Sequence, residues 1–178
     1  MATDKNFLGI PIEGDITRAS SRTPQRPIEE LQVAIAELLD HDSFTAIRWA
    51  QYTPYFADGD PCVFGVHSYG LKGPDENAGD YEDGFSTMHS HEYAYMSDEA
   101  KKFYGKPASR TFNRETRKYD EADDAIPGEH PEMIHQATKV LGMVDSGAFN
   151  DALLELFGDH ATVTLRKDKI DVEFYEHD

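Results

Sequence analysis

The closing part of the chain carries the pattern that most restricts the fold. Apolar and polar side chains alternate over residues 161–166 and again over 170–174, and the three residues between these segments are all charged. Alternation with a period of two is typical of a β-strand that buries one face, so the two segments predict an antiparallel hairpin. Helices have to pack on its apolar face to exclude water. That face should carry Ala161, Val163, Leu165, Ile170, Val172 and Phe174.

A second hairpin is predicted earlier in the chain. Residues 44–53 are rich in β-branched and aromatic types, with Ile47 and Trp49 on one side. Asp58-Gly59-Asp60-Pro61 has strong turn chemistry, and alternation then resumes from Cys62 to His67. We expect two paired strands here, with Cys62 packed as a small core residue.

Helical patterns precede both hairpins. An amphipathic stripe runs from Pro27 to Leu39, and two further stripes follow from Pro131 and from Phe149, the second ended by Gly158. A short helix is also indicated between Ser97, a good N-cap, and Gly105.

These elements predict an α+β fold: a four-stranded antiparallel sheet built from two hairpins and packed by helices. A chain of 178 residues is about the size at which one core forms, so residues 1–178 are predicted to be a single domain. Residues 1–26 have no clear period and are expected to be a loosely ordered arm. Residues 70–128 are expected to be a long, irregular, charged excursion between the hairpins.

The charge of the chain restricts its partners. Thirty-four acidic residues against 17 basic ones give a net charge of −17, which repels phosphate backbones and anionic membranes. A basic block from Lys101 to Lys118 contains aromatic residues, as in single-strand binders, but neighbouring acidic blocks can pair with it. No apolar run is long enough to span a bilayer, and a single cysteine suits a reducing compartment. We expect a cytoplasmic protein with neither a membrane nor a nucleic acid as partner.

Two stretches resemble a family of tailed-phage proteins to which no activity is assigned. They are Arg48-Trp49-Ala50-Gln51-Tyr52-Thr53-Pro54-Tyr55-Phe56 running into Asp58-Gly59-Asp60-Pro61-Cys62-Val63-Phe64, and Phe157-Gly158-Asp159-His160 through the closing Glu176-His177-Asp178. The resemblance implies a phage origin, and thus the cytoplasm of a host cell, without implying a mechanism. Ala57 stands where the family often has Asn. Lys169 replaces part of an Asp-Gly turn, so a wider turn is expected.

The first of these stretches supplies the candidate binding site. Tyr52, Tyr55 and Phe56 are large aromatic residues beside a turn that carries Asp58 and Asp60, and together they could form a binding lip. The alternative is purely structural: prolines fix the turn, and the aromatic rings cap the core.

His89, His91 and Glu92 form the candidate metal site. Two histidines two residues apart share one face of an extended chain, and Asp80 or Asp83 could complete a set of nitrogen and oxygen ligands. An ordinary strand is the alternative, since Tyr93 and Tyr95 continue the same alternation. No phosphate-binding loop, nucleophile elbow or nucleotide fingerprint occurs, so no cofactor is expected and a non-enzymatic role is favoured.

Three functional hypotheses follow from these observations. The first is a phage-encoded acidic accessory protein that acts by protein–protein interaction with a host or phage protein. The second is a metal-dependent hydrolase built on the histidine and carboxylate site. The third is a virion or scaffold component that assembles through sheet edges.

Overall fold

An antiparallel sheet organises the part of the chain that the structure describes. The structure is a computed structural model, and it describes residues 6–7, 10–11, 23–56, 59, 62–74, 84–87, 95–108, 110, 112–120 and 124–176. The strands of the sheet are β1 (Ala46–Tyr52), β2 (Gly65–Lys72), β3 (Phe85–Ser86), β4 (Ala161–Arg166) and β5 (Ile170–Phe174). They lie in the order β5-β4-β1-β2-β3, and all neighbours are antiparallel.

The predicted α+β class and antiparallel sheet are confirmed, but the predicted count of four strands is wrong. β1 pairs with β2, β4 pairs with β5, and β1 also pairs with β4, where Trp49 lies opposite Val163. The fifth strand, β3, comes from the expected excursion and places Phe85 opposite Lys72. A strand of two residues is too short to show a period, which is why alternation did not reveal it.

The first two helices of the described chain precede and follow the strands β1 to β3. α1 (Ile28–Leu39) begins after Pro27 and carries acidic residues in its first turn, as the positive end of a helix dipole favours. α2 (Asp98–Tyr104) is capped by Ser97, whose Oγ accepts a hydrogen bond of 3.1 Å from the Ala100 N–H. It ends at Gly105, whose φ of 76° is readily adopted only by glycine. Both helices were predicted.

Two consecutive helices precede the last hairpin, as predicted. α3 (Pro131–Asp145) starts with proline in its first turn, and α4 (Asn150–Phe157) ends at Gly158, whose φ is 83°. Their connection holds the end of the expected arm, because the Arg26 N–H donates to the Ala148 carbonyl at 2.8 Å.

The core lies between one face of the sheet and the helices. Ile47 and Trp49 of β1 point to this face, as do Leu71 of β2 and Val163 of β4, and all four are almost fully buried. α1 and α3 cover them with their own buried stripes. These helical residues are Leu31, Ala34, Leu38, Met133, Ala137, Val140, Leu141 and Val144.

The helices do not cover the outermost strand. Ile170 and Val172 face the same side as Leu165 and Val163, but 48% and 49% of their surface is exposed. Phe174 is 75% exposed. The expectation that all three join the core is therefore wrong, since alternation identifies the face of a strand and not whether another element covers it.

The turn between β4 and β5 is tighter than expected. The Arg166 N–H donates to the Lys169 carbonyl at 2.9 Å, so the loop contains only Lys167 and Asp168. Neither loop residue has a positive φ. A turn without glycine is thus accommodated within a two-residue loop, and the expected wider turn does not form.

Cys62 lies outside the sheet. β2 begins at Gly65, three residues later than alternation suggested, and the Cys62 thiol is exposed. The expectation of a buried cysteine is wrong, because the strand pairing starts only after the turn residues have ended.

Three short ladders complete the regular structure. Asn6–Phe7 pairs with Ile10–Pro11, Gly105–Lys106 with Ile126–Pro127, and Phe112–Asn113 with Lys118–Tyr119. Within the basic block, Tyr104 is buried in the core, so the aromatic residues there do not form one exposed platform. None of the helices in the described segments is both long and apolar enough to cross a membrane.

Candidate functional site

A buried hydrogen-bond network fixes the end of β1. The Trp49 indole N–H donates to Gln51 Oε1 at 3.0 Å, and both side chains are buried. Gln51 Nε2 donates in turn to the Leu153 carbonyl at 3.1 Å and to the Gly158 carbonyl at 2.6 Å. The strand register shifts between Ala50 and Gln51, as in a β-bulge. Gln51 therefore fastens the last turn of α4 to β1.

Asp159 continues this connection, since it follows Gly158 directly and contacts Thr53, two residues beyond Gln51. Its Oδ1 accepts hydrogen bonds from the Thr53 N–H at 2.7 Å and from the His160 N–H at 2.8 Å. Burial opposes ionisation of this carboxyl, but the hydrogen bonds from Thr53 and His160 outweigh it and lower the pKa of Asp159. The ionised carboxylate thus holds His160, whose φ of 57° is unusual for a residue other than glycine.

Nearly parallel rings gather around Tyr52 at this end of the sheet. The His67 ring stacks on Tyr52 with centroids 3.8 Å apart and planes inclined by 23°, and Tyr175 lies 5.4 Å from Tyr52 at 29°. His67 Nε2 also donates to the Tyr52 carbonyl at 3.0 Å. Burial, followed by the neighbouring Tyr175, raises the pKa of Tyr52, so its hydroxyl stays neutral.

The stack extends to the surface through His160. Tyr55 stacks on His160 with centroids 4.8 Å apart and planes inclined by 22°, and Phe174 of β5 lies 6.3 Å from the same imidazole. Tyr55 is 71% exposed and Phe56 is 77% exposed. We call Tyr52, Tyr55, His67, His160, Phe174 and Tyr175 the aromatic cluster.

The structure separates the predicted binding residues into two groups. Tyr52 is half-buried in the aromatic cluster, stacked on His67. Tyr55 and Phe56 project into solvent, so they do not cap the core. Asp58 and Asp60 lie outside the described residues.

Residues 49–55 and 157–160, which belong to the two stretches singled out in the sequence, contact each other. The Trp49 and Phe157 rings meet edge to face at 5.7 Å, and the Gln51, Thr53 and Tyr55 contacts to residues 158–160 follow in order. Sequence reasoning missed that Gln51, His67, Asp159, His160 and Tyr175 belong to this site. The Asp159-His160 pair was visible as a motif, but nothing in the sequence places it beside Tyr52.

The predicted metal site, His89, His91 and Glu92, lies outside the described residues, as do Asp80 and Asp83. In the segments that the structure does describe, no three or more His, Cys, Asp or Glu side chains come together as a metal site would require.

A recess lies apart from the aromatic cluster, between α3 and the ladder of residues 105–106 and 126–127. It encloses about 480 Å³ and is lined largely by apolar groups, among them Met96, Ile134 and Leu141. Tyr104 closes part of its wall, with its hydroxyl donating to the Leu71 carbonyl at 2.7 Å. Nothing in this lining indicates a reaction.

Comparison with known proteins returns no match: no family model, no curated protein and no solved structure is similar to this chain.

Proposed function

We propose that this protein acts by binding another protein through the exposed end of the aromatic cluster. The observation that supports this most directly is that Tyr55, Phe56 and Phe174 present large apolar surfaces to solvent while Tyr55 and Phe174 pack beside one imidazole. Exposed aromatic groups of this kind in one place are typical of interaction sites.

The Tyr55 ring is held in place before any partner arrives. His160 lies between Tyr55 and Tyr52. The Asp159 carboxylate accepts a hydrogen bond from the His160 N–H and so fixes the backbone of His160. A side chain that is already ordered loses less entropy on binding, so a fixed aromatic ring is a better anchor than a mobile one.

The charge of the protein indicates the kind of partner. The chain carries a net charge of −17, and the acidic residues Asp159, Glu173 and Glu176 lie near the cluster in the fold or next to its members in sequence. A basic surface with an apolar recess for Tyr55 and Phe56 would complement both features.

Together with the resemblance to tailed-phage proteins, these features favour an acidic accessory protein of a phage, whose partner is a host or phage protein in the infected cell. The described residues carry no feature that favours the metal-dependent hydrolase instead.

The test is affinity capture from host lysate at low and at high salt, with three forms of the full chain. These forms are the wild type, the double variant Tyr55→Ala/Phe56→Ala, and the control Val33→Ala, which truncates a residue on α1 that is 59% exposed. We expect one partner that the wild type and the control retain and that the double variant and high salt release. Equal capture by the double variant would refute the aromatic site.

A further inference from the structure

We propose that a second copy of this chain pairs with the outer edge of β5, so that two five-stranded sheets join into one. β5 is the terminal strand of the sheet, and no described strand lies on its outer side. An open edge with apolar side chains is a ready template for another strand.

The backbone of β5 offers its hydrogen-bonding groups to solvent at alternate residues. The Arg166 N–H donates to the Lys169 carbonyl, and the Tyr175 N–H donates to the His160 carbonyl, so Lys169 and Tyr175 face β4. The backbone N–H and C=O groups of successive residues in an antiparallel strand point alternately to the two sides of the strand. Those of Ile170, Val172 and Phe174 therefore point away from β4.

The side chains of the same residues form the apolar margin of this edge. Ile170, Val172 and Phe174 all lie on the helix-covered face of the sheet but beyond the helices, and they remain exposed. In the register argued below, Ile170 and Val172 provide the apolar contact, whereas Phe174 faces Asp168 of the second copy.

Charge selects a second copy and one register. When Asp171 lies on the twofold axis, Ile170 faces Val172 of the second copy, and Lys169 faces Glu173. Each of these pairs forms twice because of the symmetry. Asp171 then faces Asp171 of the second copy, which is one like-charge contact, and Lys169 Nζ at 2.9 Å and Arg166 Nη1 at 3.4 Å from each carboxylate within its own chain offset it.

The alternative register, centred on Val172, is electrostatically unfavourable. It would place Asp171 opposite Glu173 at two symmetric positions, and like charges directly opposite each other destabilise strand pairs. Glu173 makes no ion pair in the part of the chain that the structure describes, so it is available to Lys169 of the second copy.

The dimer leaves Tyr55 and Phe56 of the proposed partner site open, whereas Phe174, the third exposed aromatic residue of that site, lies on β5 next to the dimer contact. Tyr55 and Phe56 follow β1, which is the third strand from the paired edge, whereas Ile170 and Val172 become covered. The two surfaces can therefore be tested separately.

The experiment is sedimentation equilibrium of the full chain at physiological salt, from micromolar to millimolar concentration. The −17 charge of each copy opposes association, but at this salt the Debye length is about 8 Å, which screens most of the long-range repulsion. We expect the mass to rise from 20.1 kDa toward twice that value. A mass that stays at the monomer value throughout would overturn the proposal.

Charge variants test the register. Glu173→Lys places two lysines opposite each other and should raise the dimer dissociation constant about tenfold. The double variant Lys169→Glu/Glu173→Lys restores opposite charges at positions 169 and 173 and should recover part of the affinity, since it also removes Lys169 from beside Asp171. If Glu173→Lys strengthens the dimer, the Val172-centred register is present and the proposal is wrong.

Val172→Lys tests the edge itself and should abolish the dimer, because it places a charge in the apolar contact. Its matched control is Val33→Lys, which makes the same change at an exposed position on α1 and should leave the dissociation constant unchanged. Thermal unfolding of both variants checks that they fold. A dimer that persists in folded Val172→Lys would exclude the β5 edge.

Discussion

Replacing Gln51 by leucine tests whether the buried network holds the candidate site together. Gln51→Leu keeps a side chain of similar size but removes the acceptor of the Trp49 indole N–H and the donor to the Leu153 and Gly158 carbonyls. The indole nitrogen then lies buried without a hydrogen-bond partner, in a place that water does not reach.

The expected loss follows from these three hydrogen bonds. A buried donor left unsatisfied costs about 1–3 kcal/mol, and each carbonyl that loses one bond costs about 1 kcal/mol. The added apolar surface of leucine returns about 1 kcal/mol. The free energy of unfolding should therefore fall by about 3 kcal/mol, which for a chain of this size lowers Tm by roughly 10 °C.

The single tryptophan provides the assay. Trp49 is the only tryptophan and is buried against Phe157, so its fluorescence reports unfolding by urea at the site itself. Gln51→Glu separates hydrogen bonding from packing. Its carboxylate would face two carbonyls, so the variant should be much less stable at pH 7 than at about pH 4, where glutamate is protonated. A loss below about 1 kcal/mol for Gln51→Leu would refute the network.

Two further predictions concern stability. Asp159→Ala should lower the free energy of unfolding by about 1 kcal/mol, a modest value because the carboxylate is 38% exposed and water can replace part of its hydrogen bonds. Folding lowers the pKa of Asp159, so the ionised carboxylate makes its full contribution to the free energy of unfolding at pH values above its pKa in the unfolded chain. This contribution is lost as the pH falls through the lower pKa of the folded protein. The difference in free energy of unfolding between Asp159→Ala and the wild type, measured with urea, should therefore become smaller below about pH 4. A difference that does not change with pH would contradict the role of the ionised carboxylate. Gly105→Ala should cost at least about 2 kcal/mol, because φ is 76° and the new Cβ would lie 2.3 Å from the Ile126 carbonyl oxygen. Its control, Gly142→Ala on the exposed face of α3, should instead stabilise the protein by about 0.5–1 kcal/mol, and equal effects of the two changes would contradict the backbone argument.

The elements that the sequence predicts well are those specified by neighbouring residues. Ser97 caps α2 through a hydrogen bond to a residue three positions away, and Gly158 ends α4 with a positive φ. The last hairpin is similar, because its strands are joined by two residues and both show the period. Each of these features is encoded within about one turn of helix or one strand length.

The features that the sequence does not predict depend on distant contacts. The pairing of Trp49 with Val163 joins two residues that are more than a hundred positions apart in the chain, and no local pattern specifies it. The exposure of β5 has the same cause, since it depends on how far α1 and α3 reach across the sheet. The aromatic cluster brings together Tyr52, His67 and His160 from three segments, so single-sequence reasoning could name Tyr52 but not its neighbours.

The contacts between residues 48–56 and 157–160 account for the burial of some of these residues and leave others unexplained by folding. Trp49 and Gln51 are buried and fastened to residues 153–158, and Asp159 holds two backbone N–H groups, so folding accounts for all three. Folding does not account for Phe56, which is exposed and adds little to the core, and it accounts only in part for Tyr55, which stacks on His160 but is 71% exposed. A residue that contributes little to burial can be replaced by a smaller one with little loss of stability. If Tyr55→Ala/Phe56→Ala unfolds with the wild-type midpoint yet loses its partner, the two aromatic residues serve binding and the rest of the motif serves to hold them.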